Sequence, residues 1–446
     1  MTADKKDDIT LFDPTLTDSN FIYPNEDRAI LVGIETPREG TIIDEKTVGE
    51  RSLNELEELA HTAGVTVVGK MLQRRSTKDS AYYIGKGKIE ELRELGHNMD
   101  ANIAIFDDEL SGALFRNIED ATGLKIIDRT TLILDIFAQR AQSREGKLQV
   151  ELAQLKYRLP RLTGMGGQLS RLGGGIGTRG PGEKKLETDR RHIRRRISYL
   201  ETELKKISKR RMLIRENRKR NEFYTVALVG YTNAGKSTLM NKLCNSGVFV
   251  EDKLFATLDP TTRKLAGENK EILLIDTVGF IRKLPTGLIE AFKSTLEEAV
   301  YADILVHVVD SSDTEYEEHI QIVNETLISL GVTGKPILIA LNKIDLLENR
   351  GQVKERVPIK GLQNRQVYDI SAVTGEGLDE LVKGIEESFP SVDVQLDIIV
   401  PYSVGWVLPY VYENGKILEE EFSHNSIKAK ILIDKAKAEK IKDFID

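Results

Sequence analysis

A single cysteine in 446 residues leaves Cys244 without an internal partner, so no disulfide framework is available, which fits a reducing, cytoplasmic setting. Six scattered histidines and that one cysteine have no metal-ligand spacing, which excludes a His/Cys metal cluster. No apolar run reaches the roughly 18–20 residues that span a bilayer. The start, Met1-Thr2-Ala3-Asp4-Lys5-Lys6, is polar with no apolar segment behind it, so neither a secretory leader nor stable membrane insertion is expected. Positive charge is also short overall: the net charge of −7 argues at first against a nucleic-acid partner.

The distribution of charge says otherwise. Lys184–Arg220 carries 16 Lys and Arg against 5 Asp and Glu, which leaves the rest of the chain at −18. A basic arm on an acidic body is a form that a polyanion-binding protein can take. The 40% hydrophobic and 30% charged content suits a soluble globular protein of two to four domains.

Hydrophobic periodicity divides the chain into five parts. Residues 1–27 are polar and aperiodic, as in a flexible tail. Residues 28–138 alternate strands (Ala29–Gly33, Val65–Gly69, Ile103–Phe106) with helices (Ser52–Thr62, Ile89–Leu95), which predicts a small N-terminal α/β domain. Residues 139–221 carry two heptad seams: Leu148, Leu152, Leu155, Leu159 and Leu162, then Leu186, Ile193, Ile197, Leu200, Leu204, Ile207 and Ile214. Two such seams predict an antiparallel coiled-coil helical hairpin, with Pro160 stopping the first helix. Its tip, residues 164–182, has nine glycines in 19 residues, and its only charged side chains are Arg171 and Arg179. Such a loop cannot pack a core. It reads either as a tip without a partner or as a probe on a basic stalk. Residues 222–389 alternate strand and helix as a doubly wound domain does, and residues 390–446 read as a small α+β module.

The chemistry lies in the fourth part. The β-branched strand Thr225–Val229 runs into Gly230-Tyr231-Thr232-Asn233-Ala234-Gly235-Lys236-Ser237, and Thr238-Leu239-Met240-Asn241 begins a helix. This is a phosphate-binding loop in its required strand–loop–helix context. Its glycines let backbone N–H groups face phosphates, and the helix N-terminus adds positive potential. Lys236 is expected to reach the β/γ phosphates, and Ser237 to ligate Mg²⁺. The strand Leu273–Ile275 delivers Asp276-Thr277-Val278-Gly279, with Asp276 placed to hold the Mg²⁺ shell through water and Gly279 to sense the γ-phosphate. The strand Ile337–Leu341 ends in Asn342-Lys343-Ile344-Asp345. The Asp345 carboxylate can accept from N1–H and the exocyclic amine of guanine, whereas adenine presents no donor there. Ser371-Ala372-Val373 is expected to back up the guanine O6. The pocket therefore takes GTP or GDP, and Lys236 and Gly279 are expected catalytic contributors.

The four motifs together resemble the translation-factor-related GTPase superfamily, in which a threonine between the first two motifs closes over Mg²⁺. Phe255-Ala256-Thr257-Leu258-Asp259 resembles the switch of one bacterial branch and points to Thr257; Thr261 and Thr262 are the alternatives. Many relatives place a glutamine after the second motif to orient water; here it is Phe280, which cannot do so, so slow hydrolysis without a partner is expected. Asn233 resembles GTPases that recruit K⁺; the other reading is a loop asparagine making local hydrogen bonds.

With Gly180-Pro181-Gly182-Glu183-Lys184-Lys185-Leu186-Glu187-Thr188-Asp189-Arg190-Arg191 and Tyr83-Ile84-Gly85-Lys86-Gly87-Lys88 added, nearly the whole chain resembles the HflX family of ribosome-associated GTPases. The resemblance implies a monomeric, stress-related factor that binds the large ribosomal subunit and its RNA. It also implies dissociation of stalled or idle ribosomes, the glycine-rich loop reaching the peptidyl-transferase region. Arg171 and Arg179 would then contact RNA. Some relatives protect ribosomes from antibiotics, and some are thought to use ATP through the N-terminal domain. The run Gly85–Lys88 therefore stands either as a second nucleotide site or as a glycine turn before a helix. A GTP-switched RNA-binding scaffold and a GTPase supporting RNA modification are the rival functions.

Overall fold

The computed structural model describes residues 27–35, 48–161, 181–220, 223–244, 254–255, 259–265, 271–283, 285, 288, 293–332, 334–347, 366–389 and 393–445. The tip arginines Arg171 and Arg179, the tail before residue 27, and Ala256, Thr257 and Leu258 lie outside these residues. The chain forms two compact units. Unit 1 holds Met1–Leu204, Lys253–Phe255 and Arg282–Phe292; unit 2 holds Lys205–Asp252, Ala256–Ile281 and Lys293–Asp446.

Unit 1 contains a four-stranded parallel sheet in the order β2 (Thr66–Arg74), β1 (Arg28–Glu35), β3 (Ile103–Phe106), β4 (Lys125–Asp128). Ala29–Val32 and all of β3 are buried, as strands covered on both faces must be. Leu53, Leu56 and Leu59 of α1 (Val48–Thr62) are buried on one helical face, as the sequence spacing predicts. Helix α2 (Lys86–Asn98) begins earlier than the apolar spacing indicates: Gly85 is its N-cap, and Lys86 and Lys88 lie in its first turn. Helices α3 (Gly112–Thr122) and α4 (Arg129–Arg140) start on side-chain caps, Ser111 accepting from Leu114 N–H and Asp128 from Thr131 N–H.

The arm consists of α5 (Arg144–Arg161) and α6 (Pro181–Arg220). Ion pairs Arg144–Glu203, Glu151–Arg196 and Lys156–Glu201 join them, the first two in antiparallel sense. At 40 residues, α6 runs on the order of 60 Å. Leu200 of its seam is fully buried, but Ile214 is exposed, so the heptad seam does not persist to the end of α6. There the helix uses charge instead: Arg211 and Arg215 pair with Glu297 and Glu298, all four in unit 2.

Unit 2 has a six-stranded sheet in the order β10 (Val367–Asp369), β9 (Ile337–Asn342), β8 (Ile304–Asp310), β5 (Tyr224–Val229), β7 (Ile272–Asp276), β6 (Thr261–Lys264). All neighbours are parallel except β6 and β7. The C-terminal module is an antiparallel sheet, β11 (Asp393–Pro401), β13 (Ser426–Asp434), β12 (Gly415–Phe422), over a core that includes Ile398, Val407, Ile431 and Ile441. Glu413–Lys416 is the junction of helix Val407–Asn414 and β12. The Glu419-Glu420-Glu421 run, exposed on both faces, conceals β12 from pattern reading.

Candidate nucleotide site

The central strand β5 ends at Val229, and the chain turns through Gly230–Gly235 into helix α7 (Lys236–Leu243). The turn needs glycine at two points. Gly230 sits at φ 155°, where an added Cβ would lie 2.2 Å from the Val308 carbonyl oxygen; Gly235 sits at φ 92°, where it would lie 2.3 Å from Asn342 Nδ2. Asn233 adopts a left-handed φ of 61° and is exposed. Lys236 is buried, and its ammonium donates to the carbonyls of Gly230 (3.1 Å) and Tyr231 (2.7 Å), which points it along the inside of the loop. Burial brings its pKa down to about 8, with Asp276 pulling the other way.

The second motif closes onto the first. Asp276, at the end of β7, accepts from Ser237 Oγ at 2.7 Å. A hydroxyl and a carboxylate at a helix N-terminus are hard oxygen donors that suit a Mg²⁺ keeping several waters. No cluster of three or more His, Cys, Asp or Glu that could hold a metal occurs among the described residues. Thr277 has a structural role: its buried hydroxyl donates to the Leu228 carbonyl at 2.6 Å and ties β7 to β5. Beyond Val278, Gly279 is packed tightly enough that a Cβ would meet Thr232 Cγ2 at 2.7 Å and Lys236 Nζ at 3.0 Å. Phe280 then bridges back to the loop, its N–H donating to Gly230 O (3.1 Å) and its carbonyl accepting from Thr232 N–H (2.8 Å).

The third and fourth motifs meet through Asn342. Its amide donates to Ala234 O (2.8 Å) and accepts from Ala372 N–H (2.9 Å), so one side chain braces the phosphate loop against the Ser371–Val373 turn. Ser371 is fully buried, its N–H donating to Glu376 O and its hydroxyl accepting from Thr374 N–H. With Ser371 and Ala372 N–H engaged, Val373 offers the remaining backbone donor of that turn. Lys343, at φ 66°, pairs with Asp310 (2.6 Å). Asp345 lies half-buried in the 3₁₀ turn Ile344–Leu346, and its carboxylate makes no hydrogen bond or ion pair with the described residues, so both oxygens remain acceptors.

Unit 2 therefore brings together Gly230–Thr238, Asp276–Gly279, Asn342–Asp345 and Ser371–Val373 at one end of its sheet. Phe255 packs edge-on against Phe137 within unit 1, at 4.7 Å between ring centroids. Asp259 is a half-buried residue just before β6 in unit 2. Sequence reasoning missed Asp310, the partner of Lys343, and His319, whose ring stacks on Tyr231 at 3.8 Å and 12°. Both come from outside the four motifs, and no local pattern marks them.

Residues 50–138 match the family described as GTP-binding GTPase N-terminal, 140–218 its middle region, 225–343 the 50S ribosome-binding GTPase family, and 357–443 the HflX C-terminal domain. A GTPase HflX of Caldanaerobacter subterraneus subsp. tengcongensis is 52% identical over 423 residues, covering 94% of each chain. This chain belongs to the HflX family of GTPases. Another GTPase HflX, from Lacrimispora saccharolytica, is 49% identical over 90% of this chain and 92% of its own. That of Escherichia coli is 40% identical over 89% and 91%. Membership makes the chain a GTPase.

Proposed function

We propose that this GTPase binds the large ribosomal subunit through its basic arm, and that GTP binding and hydrolysis time its attachment and release. The observation that carries the reading is α6: Arg191, Arg194, Arg195, Arg196, Lys205, Lys206, Lys209 and Arg210 are all exposed on one long helix, in a family whose nucleotide domain matches a 50S ribosome-binding description. A line of exposed cations tracks phosphate backbone, and phosphate contacts position a protein on RNA. In this reading the segment 164–182, with Arg171 and Arg179, enters the peptidyl-transferase region, and the bound factor separates stalled or idle ribosomes.

At the nucleotide, Lys236 draws in the β and γ phosphates and Asp345 selects guanine. Ser237 would hold Mg²⁺ directly, Asp276 through water and Thr257 on closure; the ion neutralises charge between the phosphates. Asn233, exposed at its left-handed turn, is the position that would hold K⁺. Phe280 carries no group to orient water, so turnover alone is slow and the subunit completes the site.

The test is GTP turnover with and without purified large subunits at low salt. Stimulation is expected, and it should fall when residues 164–182 are deleted or when Arg194 and Arg195 become Glu. Absence of stimulation at low salt would overturn the ribosome reading while leaving the GTPase intact. Replacing K⁺ by Na⁺ in the same assay decides the role of Asn233.

A further inference from the structure

Thr232 lies in the phosphate loop, against Gly279 of the second motif. It is more than nine-tenths buried, and its hydroxyl Oγ1 is covered yet has no hydrogen-bond partner. Leaving a buried hydroxyl unpaired is costly, and such a group in a native structure calls for a reason. Its methyl Cγ2 lies against Gly279, and Gly279 in turn lies against Lys236 Nζ, so three residues converge on one spot. The Thr232 N–H is meanwhile engaged by the Phe280 carbonyl at 2.8 Å, half of a two-bond strap completed by Phe280 N–H to Gly230 O.

Resting on the reading that a triphosphate seats on Gly230–Ser237, we propose that Thr232 is the positioning residue that distinguishes GTP from GDP. A γ-phosphate drawn to Lys236 Nζ arrives beside Thr232, where the free hydroxyl donates to a phosphate oxygen and the N–H exchanges the Phe280 carbonyl for another. A diphosphate is held further in by the N–H groups at the start of α7 and offers nothing to either group. GTP therefore undoes the Phe280 strap and GDP leaves it in place. The γ-phosphate gains a charge-assisted bond and the buried hydroxyl gains a partner, which together favour release. No covalent step is involved; one hydrogen-bond set replaces another, and the equilibrium moves only by the difference between the two nucleotides.

Affinities of the full chain for GDP and for a non-hydrolysable GTP analogue, with Mg²⁺ present, test this in wild type, Thr232→Val and Thr232→Ser. Valine keeps the shape and removes the hydroxyl; analogue affinity should drop on the order of tenfold while GDP stays within about twofold. Serine should restore most of the loss. In wild type, hydrogen exchange at the Phe280 amide should speed up with the analogue and not with GDP, a readout that needs no variant to fold. Equal losses for both nucleotides, no loss for either, or a Phe280 amide equally protected by both would overturn the proposal. Lys236→Ala separates the two levels: if it binds both nucleotides normally the seat itself is wrong, whereas if it loses both and Thr232→Val is silent, only the role of Thr232 fails.

Discussion

Two parallel sheets in this chain end in very different ways. At the carboxyl end of the unit 2 sheet the loop backbone is closely packed: a Cβ added at Gly230, Gly235 or Gly279 would meet a neighbour at 2.2, 2.3 or 2.7 Å, and helix α7 starts there with no side-chain cap. At the carboxyl end of the unit 1 sheet the same kind of edge is filled by the protein itself. Asp107 accepts from Ser52 Oγ (2.6 Å) and Arg129 (2.7 Å) and pairs with Lys283, which belongs to unit 1; Arg129 also reaches Glu55. Asp128 caps α4 and takes Leu110 N–H and the Tyr157 hydroxyl. Open α/β sheets bind ligands at this edge. The comparison teaches that topology supplies the location and glycine decides whether the place is left to a ligand or sealed with ion pairs.

The largest way to break that contrast is Arg129→Ala. Arg129 is 1% exposed and pairs with Asp107 and Glu55, so its removal takes a buried cation away from two carboxylates and should cost about 3–5 kcal/mol in urea unfolding of the full chain. A loss well under 1 kcal/mol would mean that the cluster is solvated and that unit 1 is not sealed. On the other sheet, Lys236→Ala should lower GTP turnover by about 10²–10³-fold without a comparable loss of stability. Because burial holds Lys236 near pH 8, its charge is complete below that value and lost above it, so GTP affinity should weaken as the pH rises past 8. Affinity that is flat from pH 7 to 9.5 would take the ammonium out of the recognition. Asp345→Asn is a smaller change, about ten- to a hundredfold against GTP with a gain for xanthosine triphosphate, and equal use of both by the wild type would remove Asp345 from base selection.

The two ends also differ in how legible they were. The phosphate loop, the Asp276 turn and the Asp345 turn are local, since each is a strand end followed within a few residues by the candidate phosphate, magnesium or base contacts. What escaped was how they are joined. Asn342 was expected as part of a base-reading motif, and the structure spends both ends of its amide on Ala234 and Ala372, which lie 108 and 30 residues away. The unit 1 cluster draws on Ser52, Glu55, Asp107, Asp128, Arg129 and Tyr157, residues with no common spacing, so only the fold could reveal it. The arm shows a third case. Heptads predicted packing through Ile214, but the last turns of α6 exchange an apolar seam for Arg211 and Arg215 against Glu297 and Glu298, a swap that periodicity does not register.

The smallest expected effect lies where unit 1 is imperfectly sealed. Asp135 of α4 is half-buried, and its covered oxygen Oδ2 has no hydrogen-bond partner. Burial raises its pKa from 3.8 to about 7, against a weak opposing pull from Lys125. The unfolded chain releases this proton near pH 4 and the folded chain only near pH 7, so stability falls across that interval and the whole cost is present above it. Three pH units correspond to about 4 kcal/mol, which partial exposure discounts to about 2. Asp135→Asn keeps the shape and cannot ionise. It should therefore stabilise the chain at pH 8 by about 1–2 kcal/mol and do nothing at pH 4, measured by urea unfolding at both values. A gain of equal size at both pH values would trace the effect to packing rather than charge, and would mean that unit 1 tolerates a carboxylate there as readily as it does the paired ones at its sheet end.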